Sequence, residues 1–149
     1  IMEKVEEGVT IAGKGAEGDV RGSFSKYADL TERAIHVQKT IIRKLAARES
    51  CVIIGRSADY ILKDNKEVTK IFLYSDEKHK VERAVKYYNL SKKDALKEIN
   101  KINKQRAKHY KYYTNRDWYN YNNYDLAINV DILGVEKTAE LIKNYLSEK

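Results

Sequence analysis

The 149-residue sequence has no proline, a single cysteine and a single tryptophan, and most of its seven glycines fall within the stretch 8–25. Without proline, every bend has to come from glycine, helix caps or loops. The lone Cys51 excludes an intrachain disulfide and any cysteine-built metal cluster. Its place in an apolar run predicts a buried thiol in a reducing compartment. No apolar stretch approaches the ~18 residues of a membrane span. The opening residues 1–8 are acidic, where a secretory signal is basic and then apolar. A cytoplasmic protein with no membrane partner is the expectation. His36, His79 and His109 lack metal-ligand spacing, and no serine, histidine and aspartate set suggests acyl transfer. Neither a protein-held metal nor serine chemistry is expected.

What is present describes an ordinary folded chain: 42% hydrophobic and 34% charged residues. A single domain of this length buries about 68–70% of its unfolded surface, so one core is enough. The net charge of +7 and a pI near 9.3 favour an anionic partner. That partner could be a nucleotide phosphate, a nucleic acid or a membrane surface. Basic charge is also common in proteins that bind no polymer, so nucleic acid ranks below a small phosphorylated ligand.

Hydrophobic periodicity divides the rest. Stretch 8–25 reads as a glycine-rich loop. Asp29 and Glu32 have capping-box spacing and open a helix over about 29–47, with Leu30, Ala34, Val37, Ile41 and Leu45 on one face. Three short apolar runs, 51–54, 71–74 and 126–130, read as strands buried on both faces. A helix capped by Ser75 and ending near Asn89 follows the second run. Another opens at Ser91 with Asp94 as capping partner, and its inner stripe is Leu96, Ile99, Ile102, Arg106, Tyr110 and Tyr113. The last helix, about 135–146, presents Val135, Ala139, Ile142 and Leu146 to the sheet. Buried strands separated by helices predict an α/β fold with a parallel sheet.

Two segments could carry chemistry. The first apolar run ends in Gly55 and Arg56, which places a guanidinium at the carboxyl edge of the sheet, where open α/β folds bind ligands. Arg56 offers a planar fork for phosphate oxygens, and Gly55 lets the backbone turn. Asp59, about one helical turn on, could accept from a sugar hydroxyl or orient Arg56. A plain Arg56–Asp59 salt bridge at a helix start is the competing reading. The second segment, 101–124, interleaves lysine and arginine with six tyrosines and Trp118. It reads either as an RNA-stacking surface or as a lid that closes over a nucleotide. The plain reading is tyrosine rings packed on the sheet beside solvated lysines. Because Arg106 lies in line with the apolar stripe, its stem is expected to be buried beside an anion. Near the start, Gly13 and Gly18 reproduce half of a phosphate-binding loop, but Asp19 and Val20 replace the lysine and hydroxyl that should follow.

Together, 51–62 (CVIIGRSADYIL), 70–75 (KIFLYS), 104–114 (KQRAKHYKYYT) and 123–129 (NYDLAIN), followed by Leu133-Gly134, resemble the cytidylate-kinase-like family. The resemblance implies a nucleoside monophosphate kinase: a three-layer P-loop NTPase-like parallel sheet flanked by helices, with a helical lid at about 91–122. It implies ATP and Mg2+ as cofactors, a nucleoside monophosphate, CMP-like, as substrate, and it leaves a homodimer open. Arg56, Ser57 and Asp59 would bind substrate, Arg106 and Lys111 would act on the transferred phosphoryl group, and Lys104, Tyr110 and Tyr113 would belong to the lid. Asn103 stands where the family more often has aspartate. The family's opening strand and Gly-rich loop are not found ahead of Gly55, so 1–149 reads as one incomplete domain. The alternative is a noncatalytic nucleotide- or RNA-binding protein derived from a kinase fold.

Overall fold

The computed structural model describes the backbone of residues 20–148 and the side chains from residue 30 onward. The Gly13 and Gly18 spacing therefore lies outside the described residues. The chain forms two units, Ile1–Ile41 and Ile42–Lys149. Helix α1 (Val20–Arg48) starts well ahead of the expected cap at Asp29. With no proline upstream, nothing stops the helix there, and a capping pattern inside a helix is merely tolerated. In the first unit Leu30, Val37 and Ile41 are all exposed.

In the second unit, a short helix α2 (Ala58–Ile61) precedes strand β1 (Ile71–Tyr74). Helices α3 (Glu77–Tyr88) and α4 (Lys92–Thr114) come next, then a single 3-10 turn, strand β2 (Leu126–Asn129) and helix α5 (Val130–Ser147). The strands pair in parallel, Ile71 opposite Leu126 and Tyr74 opposite Asn129. Parallel strands cannot be joined by a hairpin, and here α3 and α4, packed on each other, make the crossover.

Local chemistry sets the boundaries. The Ser91 hydroxyl accepts from the Asp94 amide at 3.1 Å and donates to the Asp94 carboxylate at 2.6 Å, the capping interaction expected from their spacing. Ala95, just inside, is completely buried. Asn89 and Asn115 close α3 and α4 in the left-handed conformation. At the start of α3 the cap is Asp76 and not the expected Ser75, whose hydroxyl is engaged elsewhere. Within α5, Gly134 at φ 76°, ψ 173° breaks the helical path. That region is essentially restricted to glycine. Its carbonyl accepts from the buried Thr138 hydroxyl at 2.6 Å. Past it, Val135, Ala139 and Leu146 are exposed and Ile142 is half-buried, so the expected stripe covers less than its periodicity suggested.

The run 51–54 is not a strand. Val52 and Ile54 are 91% and 89% exposed, and Cys51 is exposed as well, contrary to the expected buried thiol. Ile53 alone turns inward, against the small core of Ile42, Ala58, Ile61 and Leu62. Apolar composition supplies a side-chain payload but not the backbone partner that defines a strand. Among the described residues no strand lies beside it, and the sheet has two strands where three were expected.

The sheet is fastened on one face by aromatic rings. Phe72 on β1 stacks on Tyr124 at 4.8 Å and meets Trp118 and Tyr119 edge-on at 5.5 and 6.4 Å. The Tyr124 hydroxyl donates to the Trp118 carbonyl at 2.9 Å. Part of the tyrosine-rich segment is therefore sheet packing, as the plain reading held. Because Trp118 is the sole tryptophan, the cluster has its own optical reporter. Phe72→Ala should cost roughly 2–3 kcal/mol in a urea titration, less than the ~3–5 kcal/mol of a fully buried phenylalanine. It should also shift Trp118 emission to the red, and an unchanged emission maximum would contradict the packing.

Candidate functional site

The turn after residue 54 departs from ordinary backbone geometry. Gly55, Arg56 and Ser57 have φ of 70°, 58° and 51° in succession. For glycine this is free. For the next two residues the left-handed region carries a steric cost, of order 1–3 kcal/mol each where strain is held in place. The turn closes through the Ala58 amide, which donates to the Gly55 carbonyl at 3.1 Å, and the Ile61 amide, which donates to Ser57 at 3.0 Å. Such outliers gather at ligand clamps, because only a surrounding structure that over-determines them keeps them.

The end of α4 provides that surrounding. The buried Tyr110 hydroxyl donates to Asp59 Oδ2 at 2.6 Å. Burial, then the Asp59 hydrogen bond and charge, push the Tyr110 phenol well up. Tyr124 is pushed up to about 12 by burial and then by the Asp59 charge. His109 is held below its ordinary value by burial and then by the Arg56 charge. The Arg116 guanidinium lies 5.2 Å and the Lys63 ammonium 5.0 Å from the centre of the Tyr60 ring. Arg56, Ser57, Asp59 and Tyr110 thus come together around one turn.

The other expected residues are placed differently. Tyr113 is half-buried, 4.2 Å from His109 and 5.2 Å from Tyr112 between ring centres. Lys111 donates to the Asn115 carbonyl at the end of α4, 3.1 Å away. Lys104 is exposed, and so is Arg106, whose stem was expected to be buried. Helix α3 has 12 residues and α4 has 23, so α3 spans only about half of its partner, yet Tyr110, one turn beyond Arg106, is buried.

A second cluster was not expected from the sequence. Asp131, only 6% exposed, accepts the Ser75 hydroxyl at 2.8 Å on both carboxylate oxygens and the Asp76 amide at 2.6 Å. His79 lies 3.4 Å and Arg83 3.5 Å from it. Burial pushes the Asp131 carboxyl up, but the Asp76 amide, the Ser75 hydroxyl and the two basic side chains outweigh it and hold it below its ordinary value. The signal was available in principle: parallel strands in register bring together whatever follows each of them, here Ser75-Asp76 and Val130-Asp131. Beside it is an open cleft of about 330 Å³, whose lining includes Arg83, Lys86, Tyr87, Val130 and Val135.

Asp76, His79 and Asp131 lie close enough together to suggest a cation site. They do not fit Mg2+. The Asp131 oxygens already accept from two donors, the shared Ser75 hydroxyl and the Asp76 amide, and face a guanidinium, and Mg2+ requires oxygen ligands in near-octahedral array. The cluster is a brace between the two strand ends.

A parallel strand pair with an α-helical crossover and basic side chains at its carboxyl ends is the framework of α/β proteins that take ligands at that edge. Within that class the chain belongs to the cytidylate kinase-like family, whose model matches residues 1–132. The match starts upstream of residue 29, where the expected resemblance began. The chain is also similar to a solved structure, that of an uncharacterized protein from Eubacterium ventriosum ATCC 27560, with 29% identity and a TM-score of 0.74. The likeness covers 77% of this chain and 65% of that one, so the chain spans less than two thirds of the length of that protein. No curated protein matches. Among the described residues no helix is long and apolar enough to cross a membrane.

Because the folded Asp131 carboxyl is depressed, its contribution to stability is present above the unfolded value of about 3.9 and is lost as pH falls through the folded value. Asp131→Asn should lower stability at pH 7 by about 1–3 kcal/mol. In urea titrations at decreasing pH, the gap between wild type and variant should close below the ordinary aspartate range. A constant gap at all pH values would show that charge is not the source.

Proposed function

We propose that the complete protein transfers the terminal phosphoryl group of ATP to a nucleoside monophosphate, with a CMP-like acceptor. The observation that carries this is the strained Gly55–Arg56–Ser57 turn, tied through Asp59 to Tyr110 on α4 in a chain of this family. A backbone held at that cost, with an arginine on it, suits a phosphate clamp.

In this reading Arg56 meets the acceptor phosphate through its fork, and the Ser57 hydroxyl adds a donor. Asp59 receives the Tyr110 proton donor on Oδ2, which leaves Oδ1 to accept from a sugar hydroxyl. The cleft beyond the strand ends combines the Tyr87, Val130 and Val135 surfaces with Arg83 and Lys86, a combination suited to the base and phosphates of a nucleotide. The two strands would be part of a larger three-layer P-loop NTPase-like sheet. Segment 91–122 would act as the lid, carrying Lys104, Arg106 and Lys111. Arg106 is already exposed, so it can reach a phosphoryl group without leaving a buried partner. Phosphoryl transfer depends on alignment and charge neutralisation more than on a nucleophilic side chain, and this set of residues supplies those. Magnesium would arrive on the ATP phosphates, since the Asp131 carboxylate at the strand ends is committed to hydrogen bonds.

A coupled assay for ADP over CMP, UMP, AMP and GMP tests the reading on the complete protein. Arg56→Ala should raise the acceptor KM by about 10- to 150-fold, the equivalent of charge-assisted hydrogen bonds of about 1.5–3 kcal/mol. Arg106→Ala should lower kcat by roughly 10³ or more while leaving acceptor KM close to wild type. No turnover with any of the four acceptors would overturn the proposal.

A further inference from the structure

Helix α4 carries eight basic residues and two acidic ones, and the direction of the lysines is more informative than their number. At 3.6 residues per turn, Lys93, Lys97, Lys101, Lys104, Lys108 and Lys111 fall within an arc of about 80°, and no other residue of the helix points into that arc. All six are exposed. They form a straight row about 27 Å long. The row lies opposite the side on which Ala95 and Tyr110 are buried.

A single-sign row is not the usual way to solvate a helix. Neighbours three and four apart on one face interact, and like charges there destabilise the helix. Among the described residues, Lys101 alone has an acidic partner along the row, Glu98 at 3.6 Å. Asp94 is engaged with Ser91. The repulsion along the row is relieved when a polyanion lies on it.

We infer that this face of α4 binds the phosphate backbone of single-stranded nucleic acid. A flexible strand can follow a straight row of ammonium groups, whereas each strand of a duplex winds away from it. Tyr112, 74% exposed at the edge of the row near Lys108 and Lys111, offers a ring for one base. A membrane surface fits less well. Helices that bind at a bilayer set an apolar face beside the basic one. Here Asp94, Gln105 and Glu98 line one flank of the row, Asn100 begins the other ahead of Ala107 and Leu96, and Ala95 and Tyr110 are buried on the opposite side. The sequence ranks nucleic acid below a nucleotide because bulk charge carries no direction; the helix supplies it.

The test is fluorescence anisotropy with a short labelled oligouridine and the complete protein, from about 50 to 200 mM salt. With all six lysines engaged, log K should fall against log salt with a slope near −4, from about −0.7 per neutralised phosphate. The Lys93→Gln, Lys97→Gln, Lys101→Gln, Lys108→Gln variant should lose about 3 of that slope, while the matching lysine-to-arginine variant keeps it. Tyr112→Ala should weaken binding about 5- to 100-fold. Excess CMP should leave the complex intact. Displacement by CMP, an unchanged slope in the glutamine variant, or equal affinity for duplex DNA or for phosphatidylserine vesicles would each overturn the inference.

Discussion

The second unit depends on two aspartates that hold the strands at their ends. Two paired strands are marginal in water, and they require packing or fastening to persist. At the amino ends, Asp125 accepts the Lys70 amide at 2.7 Å and lies 3.2 Å from the Lys70 ammonium, while its own amide donates to the Lys70 carbonyl at 2.8 Å. At the carboxyl ends Asp131 does the equivalent work on Ser75 and Asp76. Register follows from these pins, and register decides what the edge of the sheet presents. The phenol-to-Asp59 bond ties the Gly55–Ser57 turn to the α4 helix, whose preceding residues pack on α3.

The legible parts of the fold were those governed by short-range chemistry. Ser91 and Asp94 cap as their spacing requires, and runs 71–74 and 126–130 contain the two strands. Run 51–54 has the same apolar character and is not a strand, because pairing is decided by a neighbour that composition cannot reveal. Periodicity put Arg106 on the covered face of α4, but coverage varies residue by residue along that face, with Tyr110 buried and Arg106 exposed. The Asp131 cluster escaped notice for a related reason: its members are 55 positions apart in sequence and meet only once register is known. Within the candidate site, Arg56 and Asp59 could be singled out from their spacing, whereas the role of Tyr110 as the partner of Asp59 required the structure.

Two kinds of basic surface emerge, and they differ in how their charge is held. Around the turn, Arg56 is held on a left-handed backbone and Arg116 lies over the Tyr60 ring, so each guanidinium has a defined position. Along α4 the lysines project into solvent on flexible stems, where only the summed field of many groups is useful and salt weakens it. The first arrangement suits a single phosphate in a defined pose, and the second suits a chain of phosphates in no fixed pose.

The pairing of β1 with β2 also has a kinetic meaning. Residues joined across the strand ends, such as Lys70 and Asp125, are separated by 55 positions, and closing a loop of that size costs on the order of 3–4 kcal/mol in chain entropy before any contact repays it. Helices α3 and α4 need only local contacts and can form on the sub-microsecond to microsecond scale. Once packed together they shorten the span that the strands have to close. Chain entropy therefore favours folding from the helical pair toward the sheet, with the edge assembled from residues just beyond the strands completed after the strands pair.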